Sequence, residues 1–144
     1  ETREHPPALR KARDRIAIDL GGIGPGYAVD CLGGRLVDLG SADHLVELGG
    51  EVRAWGSHPS GTAWRVSLRG SGEVVQLSAG EALATSTARP GRSPVDPRTG
   101  RVVEVAAPSV TVRGRSCAEA DARAVAELVL RAKRIAPPRR ASEE

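Results

Sequence analysis

The chain contains no phenylalanine and no methionine, and its aromatic side chains are Trp55, Trp64 and Tyr27 alone. Any core must therefore be filled by Val, Leu, Ile and Ala, small side chains that pack best in sheets and beneath alanine-rich helices. With 144 residues, 40% hydrophobic and 27% charged, there is material for one such core. One globular domain follows.

The formal charge of +3 raises the question of a nucleic-acid partner, and its distribution answers it. Residues 1–15 carry five Arg or Lys and residues 131–144 carry another five, which leaves 11 basic against 13 acidic residues between them. The body is slightly acidic and has no basic stripe interleaved with aromatics, so nucleic acid is not expected as a partner. The basic ends read as solvated tails. Cys31 and Cys117 fit no metal spacing and define no disulfide framework, and both are expected as small buried residues. No apolar run reaches the ~20 residues of a membrane span and no signal peptide precedes the first strand pattern, so the compartment stays open.

Residues 1–14 read as a linker or frayed lead, residues 15–135 as the folded domain and residues 136–144 as a disordered tail. Residues 15–20 alternate as a strand does and run into Gly21, Gly22, Gly24 and Gly26. A helix over 25–39 follows, with Pro25 at its first position and with Gly33 and Gly34 expected to shorten or break it. Strand patterns recur at 44–48, 51–55, 64–68, 73–77, 82–85 and 109–112, with a loop over 88–100. The last element is a helix, opened by the capping box Ser116-Cys117-Ala118-Glu119, carrying Ala120, Ala124, Leu128 and Ala132 on one face, and ended by Pro137 and Pro138. The expected fold class is α+β: a mainly antiparallel sheet with two or so helices packed on it.

Four stretches carry candidate chemistry. A strand leading through Gly22, Gly24 and Gly26 into a helix start presents amides and a dipole end to an anion such as a pyrophosphate; a tight strand-to-helix turn is the alternative. In the stretch VELGGEVRAWG (46–56), Glu51 is placed to accept hydrogen bonds from a ribose or base, or else is merely exposed beside a glycine kink. Thr85, Ser86, Asp96, Arg98 and Thr99 offer hydroxyls, a carboxylate and a guanidinium, although Asp96 and Thr99 equally suit a turn that ties its own backbone. Asp121, near a helix start, is either a ligand or a complement to the helix dipole.

Taken in order, DLGGIGPGYAVD (19–30), VELGGEVRAWG, ALATST (82–87), VDPRTG (95–100) and SVTVRGRSCAEADARAVA (109–126) resemble the signature blocks of the ApbE family of FAD:protein FMN transferases. The resemblance covers residues 15–130, and it implies the C-terminal portion of a longer fold whose N-terminal part, or a second chain, lies elsewhere. It further implies cleavage of the FAD pyrophosphate, transfer of FMN to a Ser or Thr hydroxyl of an acceptor protein such as a subunit of a redox-driven membrane pump, and release of AMP. Asp121 and Asp96 are the implied catalytic carboxylates. Gly22, Gly24, Gly26, Tyr27, Glu51, Thr85, Ser86, Asp96 and Arg98 are the implied FAD-binding residues, and Asp121 with the Gly22 carbonyl is the implied Mg²⁺ site. Departures from the pattern stand at Pro25 (lysine in the family), Glu47 (asparagine), Thr87 (glycine), Ser93 (histidine) and Val125 (threonine), which implies a partly degenerate member with impaired transfer. A non-catalytic flavin-nucleotide binder or interaction module is the second expectation.

Overall fold

A computed structural model describes residues 2–3, 8–68, 71–88, 93–103 and 109–135. Thr2–Arg3 (β1) and Ala8–Leu9 (β2) form a short antiparallel pair, in a region expected to be a linker. The centre is a four-stranded antiparallel sheet of His44–Leu48 (β3), Glu51–Trp55 (β4), Ala82–Thr87 (β7) and Ser109–Gly114 (β10), in the order β10-β7-β4-β3. Trp64–Ser67 (β5) pairs with Val74–Leu77 (β6), and Val95–Asp96 (β8) with Arg101–Val102 (β9), as two separate hairpins. The helices are Gly24–Asp38 (α1) and Cys117–Ile135 (α2). The α+β class expected from the sequence holds.

Strand alternation divides the sheet into two faces, each with its own apolar filling. On one, Val52, Ala54 and Leu83 join Leu77, with Leu45, Trp64, Val66 and Val75 packed around them, so that the β5–β6 hairpin covers that side. On the other, Ala82 meets Val29 of α1 and Cys117 of α2, and Ala84 meets Ala120 and Ala124 of α2. Leu77 and Leu128 are wholly buried, each contributing roughly 2–3 kcal/mol of hydrophobic stabilisation. The absence of large aromatics is thus met by alanines that let α2 lie directly on β7. Val103 and Val129 bury each other and hold the β8–β9 hairpin against the far part of α2.

Four expectations need correction, the first being the loop over 88–100, within which residues 95–96 form a strand of the β8–β9 hairpin. Residues 16–20 pair with no strand, although they alternate like one. Gly33 and Gly34 do not break α1, which runs unbroken for 15 residues. Gly33 is a packing site: a Cβ there would collide with the Trp55 ring, and only glycine lets the indole lie against the helix backbone. Cys31 is exposed on α1, whereas Cys117 is buried as expected. The side chain of Ala132 and residues 136–144 lie outside the described residues.

Candidate functional site

Residues 19–26 form a tight turn into α1. Gly21 N–H donates to Asp19 Oδ1 at 2.8 Å, and the Leu20 carbonyl accepts from Ile23 and Gly24 at 3.1 and 2.6 Å. Pro25 sits in the first turn, where its missing N–H costs nothing, and Ile23 at the N-cap position supplies no side-chain cap. An acceptor arrives from the other helix instead: Gly26 N–H donates to Asp121 Oδ2 at 3.1 Å. The converse contact is also made, because Asp30 of α1 accepts the first amides of α2, Cys117 at 2.9 Å and Ala118 at 3.0 Å. Asp30 lies four residues beyond Gly26 and Asp121 four beyond Cys117, so each helix caps its neighbour with a carboxylate from one turn inside its own start. Arg53 of β4 completes the arrangement, pairing with Asp30 at 2.7 Å.

These helix starts approach so closely that a Cβ at Gly26 would press on the Cys117 carbonyl and lie 2.9 Å from the Ala118 Cα. One turn along, a Cβ at Gly22 would lie 3.0 Å from Val125 Cγ2. Gly22, Gly26, Asp121 and position 125 therefore share one locality. Asp121 is 4% exposed, and burial raises its carboxyl above the ordinary aspartate range, an effect opposed by the Gly26 amide. Its second oxygen, Oδ1, has no hydrogen-bond partner among the described residues.

Glu51 belongs to the same neighbourhood. It opens β4 after Gly49 and Gly50, both at positive φ, and is 9% exposed. Burial raises its carboxyl, and the charges of Asp121 and then Glu47 raise it further, against a lowering from its own backbone amide. It is thus not the exposed residue that a simple glycine kink would leave. Burial, and then the charges of Asp30, Glu51 and Asp121, push the Cys117 thiol up to about 12, so it is an inert core group whose Sγ lies within 3.7 and 3.8 Å of the Val52 and Leu83 carbonyls.

The remaining candidates are distributed more widely. Ser86 shares the helix-covered face with Ala82 and Ala84, whereas Thr85 points to the opposite face, where its hydroxyl meets that of Thr111 across the ladder at 2.9 Å. Alternation places the two hydroxyls on opposite faces of the sheet. Gly24 lies at the first residue of α1, and Tyr27 is 64% exposed on the helix exterior, its phenol raised by a hydrogen bond and by the charge of the neighbouring Cys31. Asp96 is 6% exposed and ties its own turn: its carbonyl accepts from Thr99 and Gly100 at 3.2 and 2.8 Å, and its Oδ1 from the Arg98 amide at 3.0 Å. Arg98 Nε lies 3.3 Å from the same oxygen while the rest of that side chain is largely exposed. Glu119 of the capping box gives half of the motif, its N–H donating to Ser116 Oγ at 3.2 Å while its carboxylate pairs with Arg123. Sequence reasoning missed the capping role of Asp30, although its spacing from Gly26 equals that of Asp121 from Cys117.

The ApbE family profile matches residues 1–137 of this sequence. The chain belongs to the ApbE family. It is 34% identical over 134 residues to the FAD:protein FMN transferase of Chlamydia pneumoniae, covering 85% of this chain and 42% of that protein. Among solved structures it is similar to the apo form of the Pseudomonas stutzeri flavinyl transferase ApbE, with a TM-score of 0.69 and 34% identity over 78% of this chain and 38% of that one. It is also similar to the flavin transferase ApbE from Vibrio cholerae, with a TM-score of 0.66 and 32% identity over 78% of this chain and 40% of that one. The ApbE chain described here thus spans about two fifths of the length of these relatives.

Proposed function

We propose that this ApbE-family chain carries the pyrophosphate and metal end of a flavin-transferase site, acting in transfer of FMN from FAD to a Ser or Thr hydroxyl of an acceptor protein, with AMP released. The observation that carries the reading is the convergence of a glycine-lined helix start, the buried Asp121 and the buried Glu51. The turn leaves the Gly22 amide without an acceptor among the described residues and so open to a phosphate oxygen, and two carboxylates held above their ordinary range suit a cation that would relieve their repulsion. Magnesium commonly takes one or two carboxylates and completes its shell with water and substrate phosphates, so this donor set fits it. Asp121 Oδ1 and the Gly22 carbonyl would hold the ion, which when bound supplies charge neutralisation to the pyrophosphate. Of the chain's own groups, the Gly22 amide would contact the diphosphate, Ser86 faces the helix side to position the nucleotide, and the exposed end of Arg98 offers a cation to a phosphate.

Transfer by this chain is expected to be impaired, because Val125 presents methyl groups where the family has a hydroxyl, and Ser93 stands in place of the histidine. A non-catalytic flavin-nucleotide binder is the second reading, favoured by one observation: Asp121 has a structural duty, capping α1, that would retain it without catalysis. Calorimetric titration with FAD, with and without Mg²⁺, tests both. Val125→Thr is expected to increase the Mg²⁺-dependent part of FAD affinity, and Asp121→Asn to abolish it in either background. Equal Mg²⁺ dependence in all four proteins would remove the metal assignment. Incubation with FAD, Mg²⁺ and a Ser/Thr acceptor peptide, read by in-gel flavin fluorescence, then separates transferase from binder: a fluorescent peptide supports transfer, and FAD binding without one supports the binder.

A further inference from the structure

The fold gathers arginines that lie far apart in the sequence. Arg53 of β4, Arg113 near the end of β10, Arg115 just beyond it and Arg123 of α2 line one cleft of about 850 Å³, together with Glu81 and Glu119. Three of these guanidiniums are matched within the chain. Arg53 pairs with Asp30 at 2.7 Å, Arg113 Nη1 donates to both carboxylate oxygens of Glu81 at 2.9 and 2.8 Å, and Arg123 lies 3.5 Å from Glu119. Arg115 is exposed, and its side chain makes no hydrogen bond or ion pair among the described residues. Two main-chain donors are open at the same cleft. In the turn over 78–81 the amides of Ser78, Gly80 and Glu81 are bonded within the chain, whereas that of Ala79 has no acceptor among the described residues, and neither has that of Arg115. The cleft lies outside α2: Glu119 and Arg123 each stand two residues, about 200° of helix rotation, from the buried Asp121 that bonds to α1.

We propose that this cleft is a docking site for an acidic segment of a partner polypeptide, one of whose carboxylates pairs with Arg115. Charge complementarity favours that occupant: the four guanidiniums meet three carboxylates, those of Asp30, Glu81 and Glu119, and the positive charge left over is that of Arg115. The cleft already holds a carboxylate in this way, since the Ser78 amide and then Arg113 keep the Glu81 carboxyl below the ordinary glutamate range. Glu81 and Glu119 would repel a polyphosphate or a nucleic acid laid along the same wall, whereas a polypeptide spaces its carboxylates with neutral main chain. A polypeptide also brings carbonyl oxygens, the acceptors that the open amides of Ala79 and Arg115 require. The site is separate from the proposed nucleotide site and does not require that FMN be transferred.

The test titrates the whole chain in a calorimeter with a capped hexaglutamate peptide, and separately with capped hexaglutamine and with inorganic phosphate. Hexaglutamate is expected to bind, to lose affinity as salt is raised, and to shift the amide resonances of Ala79 and Arg115. Arg115→Gln is expected to weaken it at least about threefold without moving the melting temperature, because that side chain is exposed and has no partner among the described residues. Arg65→Gln removes an exposed arginine of β5, away from the cleft, and is expected to leave the affinity unchanged. Failure of hexaglutamate to bind, equal binding of hexaglutamine, an equal loss from Arg65→Gln, or displacement of the peptide by phosphate at lower concentration would each overturn the proposal. So would displacement by FAD, which would make the cleft part of the nucleotide site. A chain that binds the peptide and not FAD would sustain the docking site while removing the nucleotide reading.

Discussion

Replacing Gly26 by alanine isolates the contact that brings the two helix starts together. In an exposed helix interior the change would stabilise by about 1 kcal/mol, because alanine is the better helix former. Here the new Cβ would press on the Cys117 carbonyl and lie 2.7 Å from its carbonyl carbon and 2.9 Å from the Ala118 Cα, all of them backbone atoms of α2 that cannot turn aside as a side chain can. Overpacking of this kind costs about 1–3 kcal/mol, and separating the helices also stretches the hydrogen bond from Gly26 N–H to the buried Asp121, where a bond to a charged group is worth about 1.5–3 kcal/mol. Set against the propensity gain, a net loss of about 2–4 kcal/mol is expected. Gly34→Ala is the internal control: it lies in the same helix with nothing within 4 Å of its Cβ, and should gain up to about 1 kcal/mol. Urea denaturation followed by circular dichroism measures both, with equal slopes confirming that the unfolded reference is unchanged. A Gly26→Ala protein as stable as the wild type would refute the close helix approach, and with it the shared locality of the glycine turn and Asp121.

Asp30→Ala should cost about 2–4 kcal/mol in the same assay, since it removes the acceptor of two α2 amides and leaves Arg53 half-buried without its partner; a loss under 0.5 kcal/mol would contradict the reciprocal capping. Glu51 is expected to give a pH-dependent signature. Its folded pKa is raised, so its contribution to stability is fully present below the ordinary carboxylate range near pH 4 and is lost as pH rises through the folded value. The melting temperature of Glu51→Gln minus that of wild type should therefore climb between pH 4 and 8, and a flat or falling difference would show Glu51 to be solvated. Arg98→Ala should weaken FAD binding by about 1 kcal/mol or more if the guanidinium reaches a phosphate, whereas an unchanged Kd in calorimetry would leave the DPRTG turn a purely structural hairpin tip.

What was legible in the sequence was local. The period of Ala120, Ala124 and Leu128 with Ser116 before it located α2, because helix spacing and a cap are encoded within a few residues. The alternation of 44–48, 51–55 and 82–85 located three of the central strands for the same reason. What could not be read was set by tertiary contacts. Gly33 looks like a helix breaker until Trp55, 22 positions away, fills the space a side chain would take. Asp30 and Asp121 each look like ordinary charges near their own helix starts, and the exchange between them depends on an antiparallel helix pair that no local pattern announces. Residues 16–20 are the opposite case, where the alternation is strong and no strand pairs with it among the described residues.

The reciprocal caps bear on how the carboxylates of the proposed site are to be understood. Asp121 satisfies a buried amide of α1 that would otherwise be left unbonded, a cost of about 1–3 kcal/mol, whether or not a cation is bound. Its presence is therefore explained by the fold before any ligand is considered, and the same holds for Asp96, which ties its own turn. Glu51 has no such duty. Among the described residues its carboxyl is bonded by no group beyond its own backbone amide, it is buried, and it stands against the charges of Asp121 and Glu47, so that in the isolated chain it costs stability at neutral pH. A residue that the fold pays for and does not use is the stronger pointer to a bound group, and it stands against the charge of Asp121, which caps the glycine-lined start of α1. Within the proposed site, Glu51 therefore carries more weight for a nucleotide or cation than Asp121, whose place the fold already accounts for.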